Sequence, residues 1–130
     1  MIAVDTSALM AILRAEPEAD HFLSTLLERE SCLSAGSVLE LCIVAARLRP
    51  KDGDRLATAL LDQLEIKIVT VDASLAKAAC EAFLMFGKGR HPAALNFGDC
   101  FSYALARTRD LPLLFKGDDF AKTDIRPALA

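Results

Sequence analysis

An α/β fold, with a central parallel sheet flanked by helices, is predicted by three features of this 130-residue chain. Short apolar runs alternate with helical patterns of about 10 to 15 residues, the spacing that β-α-β crossovers need. Most of the strand candidates are apolar rather than alternating, as parallel strands covered on both faces are. Several of the helix candidates start at a residue able to cap them.

Ile2–Val4 reads as a short buried strand, and Asp5-Thr6-Ser7 supplies the cap of a helix running to Leu13. Pro17 fits the first turn of a helix over Glu18–Glu28, with Phe22, Leu23, Leu26 and Leu27 on one face. Cys32–Ser34 is the second strand candidate. A helix from Ser37 to Leu48 follows and is stopped by Pro50. Asp52 caps a helix to Leu64 that turns Leu56, Ala59, Leu60 and Leu64 inward. Ile66–Val71, rich in β-branched residues, is the clearest strand. Asp72 caps a helix over Ala73–Phe86, where Leu75, Ala79, Ala82, Phe83 and Phe86 recur at helical spacing. Gly87–Pro92 is a basic turn, Phe97–Arg109 a helix, Leu113–Phe115 the last strand and Lys116–Asp119 a polar turn. With no repeat or linker, the pattern predicts one domain over residues 1–130.

A hydrophobic content of 53% with only 5 Pro and 6 Gly argues for an ordered core rather than disorder. No charge-free stretch exceeds nine residues, too short to span a membrane as a helix. The first residues carry no basic region ahead of an apolar one, so no secretory signal and a cytoplasmic location are expected. The 4 cysteines, Cys32, Cys42, Cys80 and Cys100, form no C-x-x-C pair and read as small core residues of a reducing compartment. With His21 and His91 alone, a Ser-His-Asp or Cys-His site has few places to come from. A net charge of −3 does not mark a nucleic-acid binder. Local patches can still dock phosphate, and Arg47/Arg49/Lys51 and Lys88/Arg90/His91 are the candidates. Each cluster equally reads as a solvated helix end, where cations complement the dipole.

Three carboxylates stand alone in long uncharged stretches. Asp5 is the only charge between Met1 and Leu13, Glu40 the only one between Glu30 and Arg47, and Asp99 the only one between His91 and Arg107. Buried acids are rare unless paired, and nothing nearby in these stretches pairs them. Ligand sites of parallel sheets collect beyond the carboxyl ends of the strands. Asp5 directly follows the first strand, Asp118 closely follows the last, and Glu40 and Asp99 sit early in helices that leave the sheet edge. All four can reach one edge. A hard divalent cation such as Mg²⁺ or Mn²⁺ takes such oxygen ligands and activates phosphodiester hydrolysis. Thr6, Ser7 and Asn96 lie close enough in sequence to position a water there.

The segments MIAVDTSALMAIL, KGRHPAALNFGDCFSYALA and LPLLFKGDDFAKTDI, with the Glu40 helix between them, resemble the PIN-domain ribonucleases, and among these the VapC toxins of type II toxin–antitoxin systems. The resemblance implies a PIN-like three-layer sandwich that hydrolyses RNA phosphodiesters with Mg²⁺ or Mn²⁺. It makes Asp5 and Asp99 the principal metal ligands and Glu40 a further acid of the pocket. Asp118 is taken as the fourth acid, with Asp119 capping Phe120–Lys122. It also implies a homodimer, hetero-oligomers with a neutralising antitoxin whose Arg sits near the acids, and no membrane association. The exposed faces of the two N-terminal helices are candidate docking surfaces for that antitoxin. Two other readings compete. A phosphatase with a strand-end Asp nucleophile wants a second Asp two residues later, where this chain has Ser7. A non-catalytic interaction module would use the acidic pocket to hold a partner's Arg without metal.

Overall fold

Four short strands, six helices and a closing 3₁₀ turn follow one another in the alternation expected from the sequence. The computed structural model describes residues 1–129. In chain order the elements are β1 (Ile2–Val4), α1 (Thr6–Leu13), α2 (Ala19–Glu28), β2 (Ser31–Ser34), α3 (Ala35–Leu48), α4 (Gly53–Gln63), β3 (Lys67–Val69), α5 (Ala73–Phe86), α6 (Phe97–Arg109) and β4 (Leu113–Leu114), and the 3₁₀ turn is Phe120–Lys122. The strands pair in the order β3-β2-β1-β4, and all three pairings are parallel. The C-terminal segment covers the outer side of β4, where Leu113 bridges Pro127.

Side-chain alternation along the strands sends apolar groups to both faces. Ile2, Val4, Leu33 and Leu114 pack on one face with Leu9, Phe22, Leu41 and Leu61 of α1–α4. Ala3, Cys32 and Leu113 pack on the other with Leu75, Ala82, Tyr103 and Leu105 of α5 and α6. A sheet covered on both faces explains why these strands are apolar throughout. Among the described residues, no helix is long and apolar enough to cross a membrane.

Local chemistry sets the helix starts. The Asp5, Ser34, Asp72 and Asn96 side chains accept N–H bonds in the first turns of α1, α3, α5 and α6. Ser34 therefore opens α3 at Ala35, two residues ahead of the expected Ser37. Asp52 precedes α4 but makes no cap bond, because Arg49 occupies its carboxylate with Nε at 2.7 Å and Nη2 at 2.9 Å. Pro17 lies ahead of α2 rather than in its first turn. The β-branched run around β3 is strand only over Lys67–Val69 and is largely exposed, since β3 is the sheet edge. Leu27, Leu56 and Phe83 point outward at 68%, 38% and 39% exposure, against the inward positions expected from periodicity. Cys32 and Cys100 are buried as expected, whereas Cys42 and Cys80 are exposed.

Removing one cap isolates its contribution. In Asp72→Ala, the 2.8 Å bond from the Leu75 N–H is lost, and stability should fall by about 1 kcal/mol. Urea unfolding of the variant beside wild type measures this, with an unchanged denaturant slope expected.

Candidate active site

The four stretches singled out in the sequence meet at the carboxyl ends of the central strands. Asp5 directly follows β1 and caps α1, Glu40 lies in the second turn of α3 just after β2, and Asp99 lies in the first turn of α6. Asp118 and Asp119 follow β4 in the turn that leads to Phe120.

Asp5 is 3% exposed and tightly held. Its Oδ2 accepts the Ser7 N–H at 2.9 Å, and its Oδ1 accepts the Ser102 hydroxyl at 2.5 Å. The Ser102 hydroxyl also lies 3.5 Å from that of Ser37. Both serines are fully buried, so the end of β1, α3 and α6 are tied by polar groups inside an apolar surround. Ser7 has a second duty, since its hydroxyl accepts the Lys116 N–H at 3.0 Å and fastens the chain leaving β4. Asn96 forms a reciprocal capping box with Asp99, with bonds of 2.9 and 3.0 Å.

Gly98 lets α3 approach α6. A Cβ at this position would stand 1.7 Å from Glu40 Oε2, so the Glu40 carboxylate fills the space that any other residue would occupy. Burial raises the Glu40 pKa, the Thr6 hydroxyl partly offsets the rise, and the charge of Asp5 adds to it. Burial likewise pushes Asp99 up to about 7. The Asn96 N–H opposes that rise, and the charges of Asp5, Glu40 and Asp119 reinforce it. Every charge acting on these two groups is an acid. Lys116 pairs with Glu16 and Glu18, and Arg49 with Asp52, whereas Arg47, further along α3 from Glu40, belongs to no ion pair among the described residues.

Asp119 makes no side-chain cap bond to the 3₁₀ turn, so the reason for setting it aside fails. The charge of Asp119 is among those that raise the Asp99 pKa. The sequence reading also missed Ser102, Ser37 and Gly98. Ser102 did carry a signal: it follows Asp99 by one helical turn inside an otherwise apolar run.

Oxygen donors, partial burial and excess negative charge fit a hard divalent cation. Among the described residues, no three His, Cys, Asp or Glu side chains are gathered into a ready metal cage. An Mg²⁺-type site of one or two carboxylates completed by water needs none.

The parallel α/β sheet and the sequence that folds into it are similar to known proteins. A profile of the PIN domain matches residues 2–126, and the chain belongs to the PIN domain family. Within it, the chain is 47% identical over 128 residues to Ribonuclease VapC42 of Mycobacterium tuberculosis, covering 96% of this chain and 97% of that protein. It is 42% identical over 125 residues to Ribonuclease VapC30 of the same organism, covering 95% of each. Among solved structures, M. tuberculosis VapC20, a sarcin-ricin loop cleaving toxin, superposes with a TM-score of 0.73 at 19% identity, over 98% of this chain and all of that one. A toxin–antitoxin complex from Klebsiella pneumoniae gives 0.73 at 17% identity, over 95% of this chain and 93% of that one. The three-layer sandwich expected from the sequence is thus the fold observed.

The acids leave a signature in stability. A carboxyl raised in the folded state contributes stability that is complete below its unfolded pKa near 4 and lost as pH rises through about 7. In chelator-treated protein, Asp99→Asn should therefore gain melting temperature relative to wild type between pH 5 and pH 8. Parallel thermal melts at the two pH values check it; a constant offset would refute the raised pKa.

Proposed function

We propose that this chain is a single-domain, divalent-metal-dependent endoribonuclease, the toxin of a type II toxin–antitoxin pair acting in the cytoplasm. The observation that carries the reading is the set of acids at the sheet edge with no cation of the chain's own among the charges acting on them. Relatives at 42% and 47% identity named as VapC ribonucleases support RNA as the substrate class. Asp5 and Asp99 are assigned as the metal ligands, with Mg²⁺ or Mn²⁺ as the ion. Glu40 supports them from α3. Asp119 is assigned as the fourth acid in place of Asp118.

When bound, the cation supplies Lewis-acid stabilisation of phosphate charge and makes water more acidic. The chain's own groups do the rest. Ser7 N–H and Ser102 hold Asp5 in one orientation, so its lone pairs need no reorganisation when the substrate arrives. The Asn96 capping box does the same for Asp99. Glu40, raised by burial and by Asp5, is placed to accept a proton from water approaching the phosphate. The partly buried surround strengthens each of these interactions relative to bulk water.

The same acids account for neutralisation. A basic residue of an antitoxin, entering the edge, would balance the carboxylates and exclude the metal. The solved toxin–antitoxin complexes that share the fold support this partnership and the hetero-oligomers it builds. A homodimer is the expected state of the toxin itself.

Cleavage of a structured RNA pool with Mg²⁺ or Mn²⁺ tests the reading. Asp5→Asn and Asp99→Asn should each lower the rate about 100-fold or more while keeping the circular dichroism spectrum. Gly98→Ala should fold, since Glu40 is a flexible side chain, yet cut about 100-fold more slowly because Glu40 is displaced. Wild-type rates in both Asp variants would overturn the assignment.

A further inference from the structure

From the acid edge, a groove of about 250 Å³ runs outward between α3 and the start of α6. Glu40 and Gly98 form its inner end, and Arg47 lies at the other, seven residues or about 10 Å further along α3. Arg47 belongs to none of the ion pairs among the described residues and is the only cation lining the groove. Phe97 forms the outer wall. At 82% exposure it is the most exposed large apolar side chain described, although it stands only two residues before Asp99. Phe101 meets it edge to face, with ring centroids 5.1 Å apart at 87°. That contact steadies the Phe97 ring and leaves a face open.

Core packing does not explain so exposed an aromatic, nor a lone unpaired cation at the far end of a mostly apolar groove that has Glu40 at its inner end. Unpaired bases stack on aromatic faces, and Arg binds phosphate through its planar fork. We propose that this groove is a nucleotide subsite of the ribonuclease, where Phe97 stacks the base flanking the scissile phosphate and Arg47 holds a neighbouring phosphate. Both act as positioning residues: they set where the RNA lies relative to Asp5 and Asp99 and take no part in the chemistry. The inference rests on the ribonuclease reading above. It also selects single-stranded RNA or a loop over a duplex, because a paired base cannot present its face to Phe97.

Binding of a single-stranded RNA oligonucleotide carrying 2-aminopurine is measured in chelator, together with cleavage in Mn²⁺ and sedimentation of each variant. Wild type should quench the fluorophore on binding. Phe97→Leu should weaken binding about tenfold and lose the quenching, and Phe97→Trp should restore both. Arg47→Ala should weaken binding and lower the salt dependence by about one phosphate contact. In both weakened variants KM should rise with kcat nearly kept. Phe97→Leu binding as well as wild type, or an unchanged salt slope in Arg47→Ala, would overturn the subsite while wild-type cleavage upholds the ribonuclease. A change of sedimenting mass in Phe97→Leu would assign the face to a second copy of the chain and overturn it equally. Wild type that neither binds nor cuts RNA would remove the ribonuclease reading, and the subsite with it.

Discussion

Mutual repulsion among carboxylates that the chain does not neutralise is the constraint around which this structure is arranged. Asp5, Glu40, Asp99 and Asp119 come from four separate parts of the sequence, and the sheet brings them to one edge. Burial first, and the neighbouring acids after it, raise the pKa of Asp99, so the fold weakens as that group ionises. The fold tolerates the cluster because its neighbours are fixed by many other bonds. Caps bind Asp5 and Asp99 to helix starts, buried Ser102 holds Asp5 from α6, and the apolar cores on both faces hold the helices in place. A cation from outside relieves the repulsion, whether it is a metal ion or the basic side chain of a partner. Activity and neutralisation thus draw on the same unfavourable interaction.

The helix-cap role of Asp5 and Asp99 does not compete with the metal role proposed for them. A carboxylate oxygen has two lone pairs, so one N–H bond leaves room for a second interaction. Capping fixes the rotamer, and a fixed rotamer is what a site with few protein ligands requires. The same economy appears in Ser7, whose N–H orients Asp5 while its hydroxyl holds the exit of β4.

Much of the fold was legible because its signals are local. Strand β1 and helices α1, α5 and α6 fall where apolar periodicity and capping residues put them. Three of the four acids stood out for a reason that survives in three dimensions: a solitary charge in an apolar run has no partner along the chain. What the sequence could not display depends on neighbours from elsewhere. Leu27, Leu56 and Phe83 match a helical stripe, yet which edge of that stripe is covered depends on how far the next element reaches. Cys42 and Cys80 are exposed for the same reason. Ser102 looks neutral in FSYALA until α6 is laid against β1. Asp118 and Asp119 are adjacent in a turn that Gly117 opens with a φ of +100°, where no periodicity tells one side chain from the other.

With its pKa raised to about 7, the metal role proposed for Asp99 requires that it lose a proton to hold a divalent ion. Titration calorimetry of the metal-free protein with Mn²⁺, in two buffers of different ionisation enthalpy, counts the protons released. The account predicts release approaching one proton at pH 6, close to none at pH 8.5, and tighter binding at the higher pH. Binding with the same affinity and no proton release at both pH values would contradict it, as would no binding at either.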